Sequence, residues 1–536
     1  MATSVSLPGG RPVPAALRGG RWLALAVLCT ILFLTFLDNT VVSVALGSVQ
    51  ADLHAGVSDL QWVVSAYALT FAGAMLAFGM VSDEFGRKGV MLAGVVVFCA
   101  GSVLSALARN PETLIAGRAI MGLGAAASEP GTLSMLRHLY TDERTRTRAL
   151  GVWSAVCGLA LAAGPIVGGA LVGAWNWRGI FWFNLTFGLA ALAAGALVLP
   201  RSSDPDAHRV DISGAVLGAA ALAAFTFAII NAESAGFGSP AVIALLGVSA
   251  AAAAGFFWRE SRAAHPLLDL RYLRVPRFLV ANVVAFCTYF ATFAVFFFTA
   301  LYLQQVAGYD GYQIALTFAP MTILMIAASL VAGRWTALAG PRWSILAGCL
   351  LFGAGLLLTS ASLSPDPGYL PLAVALALTG IGIGTTVVPS TSAALAAVPA
   401  QRSGMAASAV NTSREIGAVT GVAILGALVN AQLHDSLVGR LRELGIPANF
   451  QSIVLHAIET GAVPSSGNTQ GAGGAAGAGH ASLVQQVIQA AYGAFSSGLR
   501  AALLLSAILV LLAGVSSAIL LSRREPPPAA AGVTPR

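Results

Sequence analysis

Apolar residues along this chain come in long runs, separated by short polar stretches rich in Gly and Arg. A helix crossing a hydrocarbon core of roughly 30 Å needs about 20 such residues. Fourteen runs reach that length, at approximately 22–46, 60–81, 89–108, 113–137, 149–173, 179–199, 212–231, 241–258, 278–303, 313–337, 343–363, 370–397, 404–431 and 498–521. The pattern predicts an all-α polytopic membrane protein. The first run is too long for a signal h-region and lacks an evident cleavage site, so it reads as an uncleaved span.

The breaks between the runs carry a repeat. Gly79-Met-Val-Ser-Asp83-Glu-Phe-Gly86-Arg87-Lys88 is a charged turn with glycines at its start and bend. It returns in weaker form at Gly333-Arg334 and Gly340-Pro341-Arg342, and both glycine pairs are offset by 254 positions. Arg148, Ser154, Ala155 and Val156 fall on Arg402, Ser408, Ala409 and Val410 at the same offset. Two halves in the same orientation suggest parallel repeats, as transporters use. Six runs precede runs seven and eight and six follow, which makes those two an inserted hairpin. The expected division is a tail 1–21, a six-helix bundle 22–200, a hairpin with its linkers 201–277, a second bundle 278–525 and a tail 526–536.

Arginine placement orients the chain. With the N-terminus inside, inner breaks collect Arg87, Lys88, Arg137, Arg144, Arg146, Arg148 and most later arginines, whereas outer breaks hold only Arg109, Arg178, Arg440, Arg442 and Arg500. Basic residues accumulate on the cytoplasmic side, so both termini are expected there, in a cell (inner) membrane. Trp175, Trp177 and Trp182 cluster at one break and suggest an interfacial aromatic belt. Residues 432–497 read as one long outer loop, with a Gly/Ala/Ser-rich centre and a short amphipathic helix near Leu483–Ala491.

Composition agrees. The chain of 536 residues is 57% hydrophobic and 10% charged, against about 25% charged in soluble domains. Its net charge of +7 does not point to nucleic acid, because the aromatics lie within apolar runs rather than on a basic surface. Cys29, Cys99, Cys157, Cys287 and Cys349 each lie in an apolar run, as small buried hydrophobes rather than a disulfide frame or metal site.

Ionisable residues inside spans are few, and each costs roughly 2.5–3.5 kcal/mol at a helix centre. Asp38 lies about 24 Å above the inner face at about 1.5 Å per residue, and Arg118 about 22 Å above it, so the two can meet. The pair is either a proton-coupling site or a fixed structural ion pair. Arg118, Gly122, Ala125 and Glu129 share a helix face. Glu129 is a second proton site or is capped by inner-loop arginines. Glu415 is the acidic candidate of the second half, or part of an interhelical network, with Asn411 one turn away on the same face. Phe36, Asn411 and the stripe Phe286, Tyr289, Phe290, Phe293 are candidate substrate contacts. The stripe, which helical spacing extends to Phe297, also reads as packing or lipid-facing surface.

These residues carry a family resemblance. The turn resembles the signature loop of the major facilitator superfamily through Gly79, Asp83, Gly86, Arg87 and Lys88, although Glu84 stands where that family usually has a basic residue. Gly164-Pro165-Ile-Val-Gly168-Gly169 resembles its antiporter motif. Leu37-Asp38 onward, Arg118 with Met121-Gly122-Leu-Gly124, and Trp177-Arg178 with Phe181 and Asn184 look like its fourteen-span drug:proton antiporter branch. The resemblance implies two six-helix bundles plus an inserted two-helix hairpin, and a secondary active transporter rather than an enzyme. It implies efflux of hydrophobic or amphipathic compounds against protons by alternating access. It further implies a cytoplasmic latch at Asp83, a hinge and seal at Gly164, Pro165, Gly168 and Gly169, no metal or cofactor, and a lipid-embedded monomer. Proton-coupled uptake of a small solute is the alternative. A sensor or membrane enzyme is a third class, unsupported by any metal cluster or nucleophile constellation.

Overall fold

A backbone in hydrocarbon must satisfy its own polar groups, and the apolar runs do so as helices. The computed structural model describes residues 17–140, 143–200, 211–263, 266–364, 368–399, 403–443 and 478–521. It holds fourteen helices of 18 to 43 residues. The first half comprises α1 (Leu17–Val41), α2 (Val57–Phe85), α3 (Arg87–Ala106), α4 (Pro111–Leu139), α5 (Glu143–Ala174) and α6 (Arg178–Val198). The hairpin is α7 (Ile212–Ala235) and α8 (Pro240–Arg262). The second half comprises α9 (Pro276–Phe293), α10 (Gly311–Ala339), α11 (Pro341–Ser362), α12 (Tyr369–Ala396), α13 (Ser403–Glu443) and α14 (Ala478–Leu520). Among the described residues, twelve segments are long and apolar enough to cross a membrane. The other two, α2 and α4, carry buried polar groups, among them Gln61, Ser65, Arg118 and Glu129.

The turns that the repeat predicts have a common backbone cause. Gly86 between α2 and α3 has φ 103°, and Gly340 between α10 and α11 has φ 79°. A side chain is strained there, so glycine recurs at the same offset in both halves. Gly79 and Gly333 do not match in contact: a Cβ on Gly79 would lie 3.7 Å from Pro130 Cβ, whereas Gly333 faces open space. Lys88 Nζ donates to the carbonyls of Ala196 and Leu199, at 2.8 and 2.6 Å, and so caps the end of α6. The side chains of Asp83 and Arg402, and hence the expected latch, lie outside the described residues.

The halves meet where α5 packs on α10 and where α2 packs on α13. The motif at Gly164 explains the first contact. A Cβ on Gly168 would stand 2.5 Å from the Val41 carbonyl oxygen, and one on Gly169 would stand 2.6 Å from Ala315 Cβ. These glycines let α5 lie against α1 on one side and α10 on the other. The hairpin helix α7 packs against both α2 and α13, with Trp62 on Phe227 at 4.3 Å between ring centroids.

Three expectations need correction. Trp177 does not belong to an aromatic belt. It is buried, and its indole N–H donates to Asp52 Oδ2 at 3.1 Å, while Trp175 and Trp182 are exposed. Residues 432–497 are not one loop. Helix α13 continues to Glu443 and α14 begins at Ala478, because Leu433, Leu437 and Leu441 repeat at helical spacing and pack on Ala490, Ala491 and Ala494. The aromatic stripe breaks at Phe293, where a π-helical turn over Ala294–Thr299 shifts the register before Phe297.

Candidate functional site

The basic end of the molecule carries the Gly86 turn; the opposite end carries the Trp177-Arg178 break. Midway between them lies a buried polar cluster built by seven helices. On α1, Asp38 and Asn39 precede a 3-10 turn at Val42–Ala45 that interrupts the helix before Leu46–Leu53. Arg118 and Glu129 come from α4, Asn184 from α6, and Asn411, Arg414 and Glu415 from α13. Tyr67 of α2, Tyr289 of α9 and Thr391 of α12 complete it.

The cluster has two parts. In the first half, Arg118 Nη1 donates to Asp38 Oδ2 in a buried ion pair. Asn184 Nδ2 donates to the other oxygen, Asp38 Oδ1, at 2.6 Å. Arg118 Nε donates to the Val63 carbonyl at 3.0 Å, and its guanidinium lies 4.5 Å from the Tyr67 ring centroid. Tyr67 in turn donates to the Thr35 carbonyl at 2.9 Å. Both Asp38 oxygens are thus engaged, and the unit ties α1, α2, α4 and α6 together.

The second part crosses between the halves. Asn39 Nδ2 donates to Glu415 Oε1 at 3.3 Å, and Asn411 Nδ2 donates to Glu129 Oε1 at 2.8 Å. Each half therefore supplies an amide to the other half's carboxylate. Arg414 donates to Asn411 Oδ1 at 2.9 Å and to Thr391 Oγ1 at 2.6 Å, and its guanidinium is 5.4 Å from the Tyr289 ring centroid. Glu129 Oε2, Glu415 Oε2, Arg414 Nε and the Tyr289 hydroxyl are buried with no hydrogen-bond partner among the described residues. Glu129 lies within electrostatic reach of both Glu415 and Arg414. Among the described residues its hydrogen-bond partner is Asn411; the side chains of Arg137, Arg144, Arg146 and Arg148 lie outside them.

Of the remaining candidates, Phe36, Phe290 and Phe293 are buried in the apolar core, and Phe286 is half-buried. Cβ atoms on Gly417 and Gly421 of α13 would press on the backbones of Phe286 and Phe290, so the stripe is the packing face of α9 against α13. Tyr289 alone of the stripe joins the polar cluster. Asn39 and Thr391 went unrecognised in the sequence; a polar residue beside Asp38 within an apolar run was the available signal for Asn39.

The opposite end is closed across the halves. The Gly47 N–H donates to Gln304 Oε1 at 3.0 Å, Gln304 Nε2 donates to Ser48 Oγ at 3.1 Å, and Gln305 Nε2 donates to Gln50 Oε1 at 2.7 Å. These bonds tie the two halves together at that end.

Comparison with known proteins agrees with this architecture. The family model described as Major Facilitator Superfamily matches residues 28–422. The multidrug resistance protein Stp of Mycobacterium tuberculosis is 33% identical over 424 residues, covering 79% of this chain and 78% of the relative. The tetracenomycin C resistance and export protein of Streptomyces glaucescens is 30% identical over 499 residues, covering 92% of this chain and 90% of the relative. The multidrug efflux pump LfrA of Mycolicibacterium smegmatis is 29% identical over 494 residues, with 91% and 93% covered. The crystal structure of a bacterial homologue of the human lysosomal transporter Spinster, in an inward-facing and unoccupied conformation, superposes with a TM-score of 0.64 at 17% identity. It covers 95% of this chain and all of the other, and shows the shared fold. This chain belongs to the Major Facilitator Superfamily.

Proposed function

We propose that the chain exports hydrophobic or amphipathic compounds across the cytoplasmic membrane in exchange for protons. All fourteen helices cross the bilayer, with both termini inside, and the protein works as a monomer. The outward direction is supported by relatives whose names include resistance, efflux and export. Relatives of that kind, and the absence of any observation favouring import, set uptake aside.

The observation that carries the coupling is the crossed pair of Glu129 and Glu415. Each is buried, each accepts from an asparagine of the opposite half, and each keeps one oxygen unpartnered among the described residues. A buried carboxylate oxygen without a donor is costly, and a proton or a ligand donor removes that cost. One site that takes either a proton or a substrate is what antiport requires. Proton binding and substrate binding at this pair then oppose each other by equal factors. Asp38, with both oxygens filled by Arg118 and Asn184, holds the first half in register for that exchange. The Asp83 turn latches the basic end when the site faces outward, and the Gly164–Gly169 segment hinges and seals α5.

The reading predicts proton release on binding. Titrating tetraphenylphosphonium into weakly buffered purified protein near pH 7 should release protons from the wild type. Glu415→Gln, with an unchanged melting temperature, should bind without release. Equal release from the variant would place the exchanged proton elsewhere.

A further inference from the structure

The inserted hairpin encloses a cavity of about 330 Å³ where it meets both halves. That volume lies at the small end of the range of ligand pockets. Its walls include Ala221 and Leu222 of α7, Phe257 of α8, Ala72 of α2, and Thr412 and Ile416 of α13. None of the described lining residues is charged, unlike the central cluster. Phe257 is half-exposed, so one wall reaches the outer, lipid-facing surface of the hairpin. Two of the polar residues in the lining are already committed, since Ser413 donates to Asn282 Oδ1 at 2.9 Å and Asn282 donates to the Phe278 carbonyl at 2.8 Å. The Thr412 hydroxyl, in contrast, is buried and has no partner among the described residues.

We propose that this cavity is a second binding site, for a neutral lipophilic small molecule with one hydrogen-bond acceptor, taken up from the bilayer. The apolar walls exclude a charged head group, because nothing in the lining would pair with it. The Thr412 hydroxyl donates to the ligand's acceptor. Since α2 and α13 belong to opposite halves, a molecule filling the cavity binds the described arrangement better than one in which those helices separate. Its occupancy therefore shifts the transport cycle toward this arrangement. This gives the hairpin a function that the two bundles do not supply, and it does not depend on which acid carries the proton.

Benzophenone is a suitable probe: neutral, apolar, with a single carbonyl acceptor and photoreactive toward nearby C–H bonds. Full-length protein in lipid nanodiscs is irradiated over a concentration series, and adducts are mapped by peptide mass spectrometry. Adducts on Leu222 and Ile416 should saturate, while those on the exposed α8 residue Val248 should rise linearly from the lipid phase. Ala221→Phe, which fills the cavity, should reduce the saturable adducts at least tenfold and leave Val248 labelling unchanged. Thr412→Val, nearly isosteric, should raise the half-saturating concentration roughly two- to twelvefold, the worth of one hydrogen bond. Glu415→Gln should leave the labelling as in the wild type, whatever it does to proton release. Linear labelling at Leu222 and Ile416, or saturable labelling that survives Ala221→Phe with an unchanged melting temperature, overturns the site. An unchanged half-saturation in Thr412→Val overturns the hydrogen-bonded pose.

Discussion

The closed end offers a perturbation whose size follows from the structure. Gln304 makes two bonds across the halves, accepting from the Gly47 N–H and donating to Ser48. Truncation to Ala removes both. Each hydrogen bond contributes about 0.5–1.5 kcal/mol net, so the closed arrangement loses about 1–3 kcal/mol relative to one in which that end is open to water. At about 1.4 kcal/mol per decade, the open-to-closed ratio rises roughly 5- to 150-fold. Gln305→Ala removes one bond, to Gln50, and should shift the ratio roughly 2- to 12-fold. Spin labels at Ala51, exposed in the first half, and Leu370, exposed in the second, report the opening by pulsed dipolar spectroscopy. The five native cysteines are all free and buried, so they need not be replaced. A longer-distance population should grow in the order wild type, Gln305→Ala, Gln304→Ala. Identical distance distributions in all three would refute the idea that these glutamines hold the end shut.

Other consequences are as direct. Arg118→Met strands the buried Asp38 charge and should cost about 3–5 kcal/mol, whereas Arg118→Met with Asp38→Asn should recover much of it; additive losses in thermal melts would show that the two are not coupled. Gly168→Val should lower the melting temperature and abolish transport, since its Cβ meets the Val41 carbonyl, while Gly333→Ala, facing open space, should do neither; matched behaviour would deny the close approach of α5 to α1. Burial raises the Asp211 carboxyl, yet the Ser213 hydroxyl, the Gly214 N–H and Arg259 together hold it below the usual aspartate range. A depressed folded-state pKa gives stability that is present above the unfolded value and lost as pH falls through the folded one. Protection factors for amide exchange at the start of α7 should therefore fall below about pH 4 in the wild type but not in Asp211→Asn, and equal pH profiles would count against the tether.

The fold was legible where physics acts locally. Run length fixed the helices, and the need for positive φ at Gly86 and Gly340 made the repeat visible as glycines at one offset. The Asp38–Arg118 pairing was also within reach, because depth along a helix is arithmetic on residue number. The crossed amide–carboxylate bonds were not. They join residues 376 and 282 positions apart, and their formation depends on how the halves dock, which no local pattern encodes. Polarity misled at Trp177, whose indole reads as interfacial until Asp52 is placed beside it. It misled again over 432–443, where charged residues on one helical face hid the apolar Leu433, Leu437 and Leu441 on another. The π-helical turn after Phe293 leaves no mark in residue spacing, and it decides which aromatics share a face.

The central claim is that substrate and proton exchange at the Glu129–Glu415 pair. The most direct measurement is proton movement in proteoliposomes holding a pH gradient, on adding a panel of lipophilic cations and neutral aromatics that includes tetraphenylphosphonium. The account predicts that a transported compound dissipates the gradient with wild-type protein, and that Glu415→Gln, folded and reconstituted to the same level, leaves the gradient intact. Equal proton flux in the variant, or transport by the wild type that leaves the gradient untouched, would contradict it.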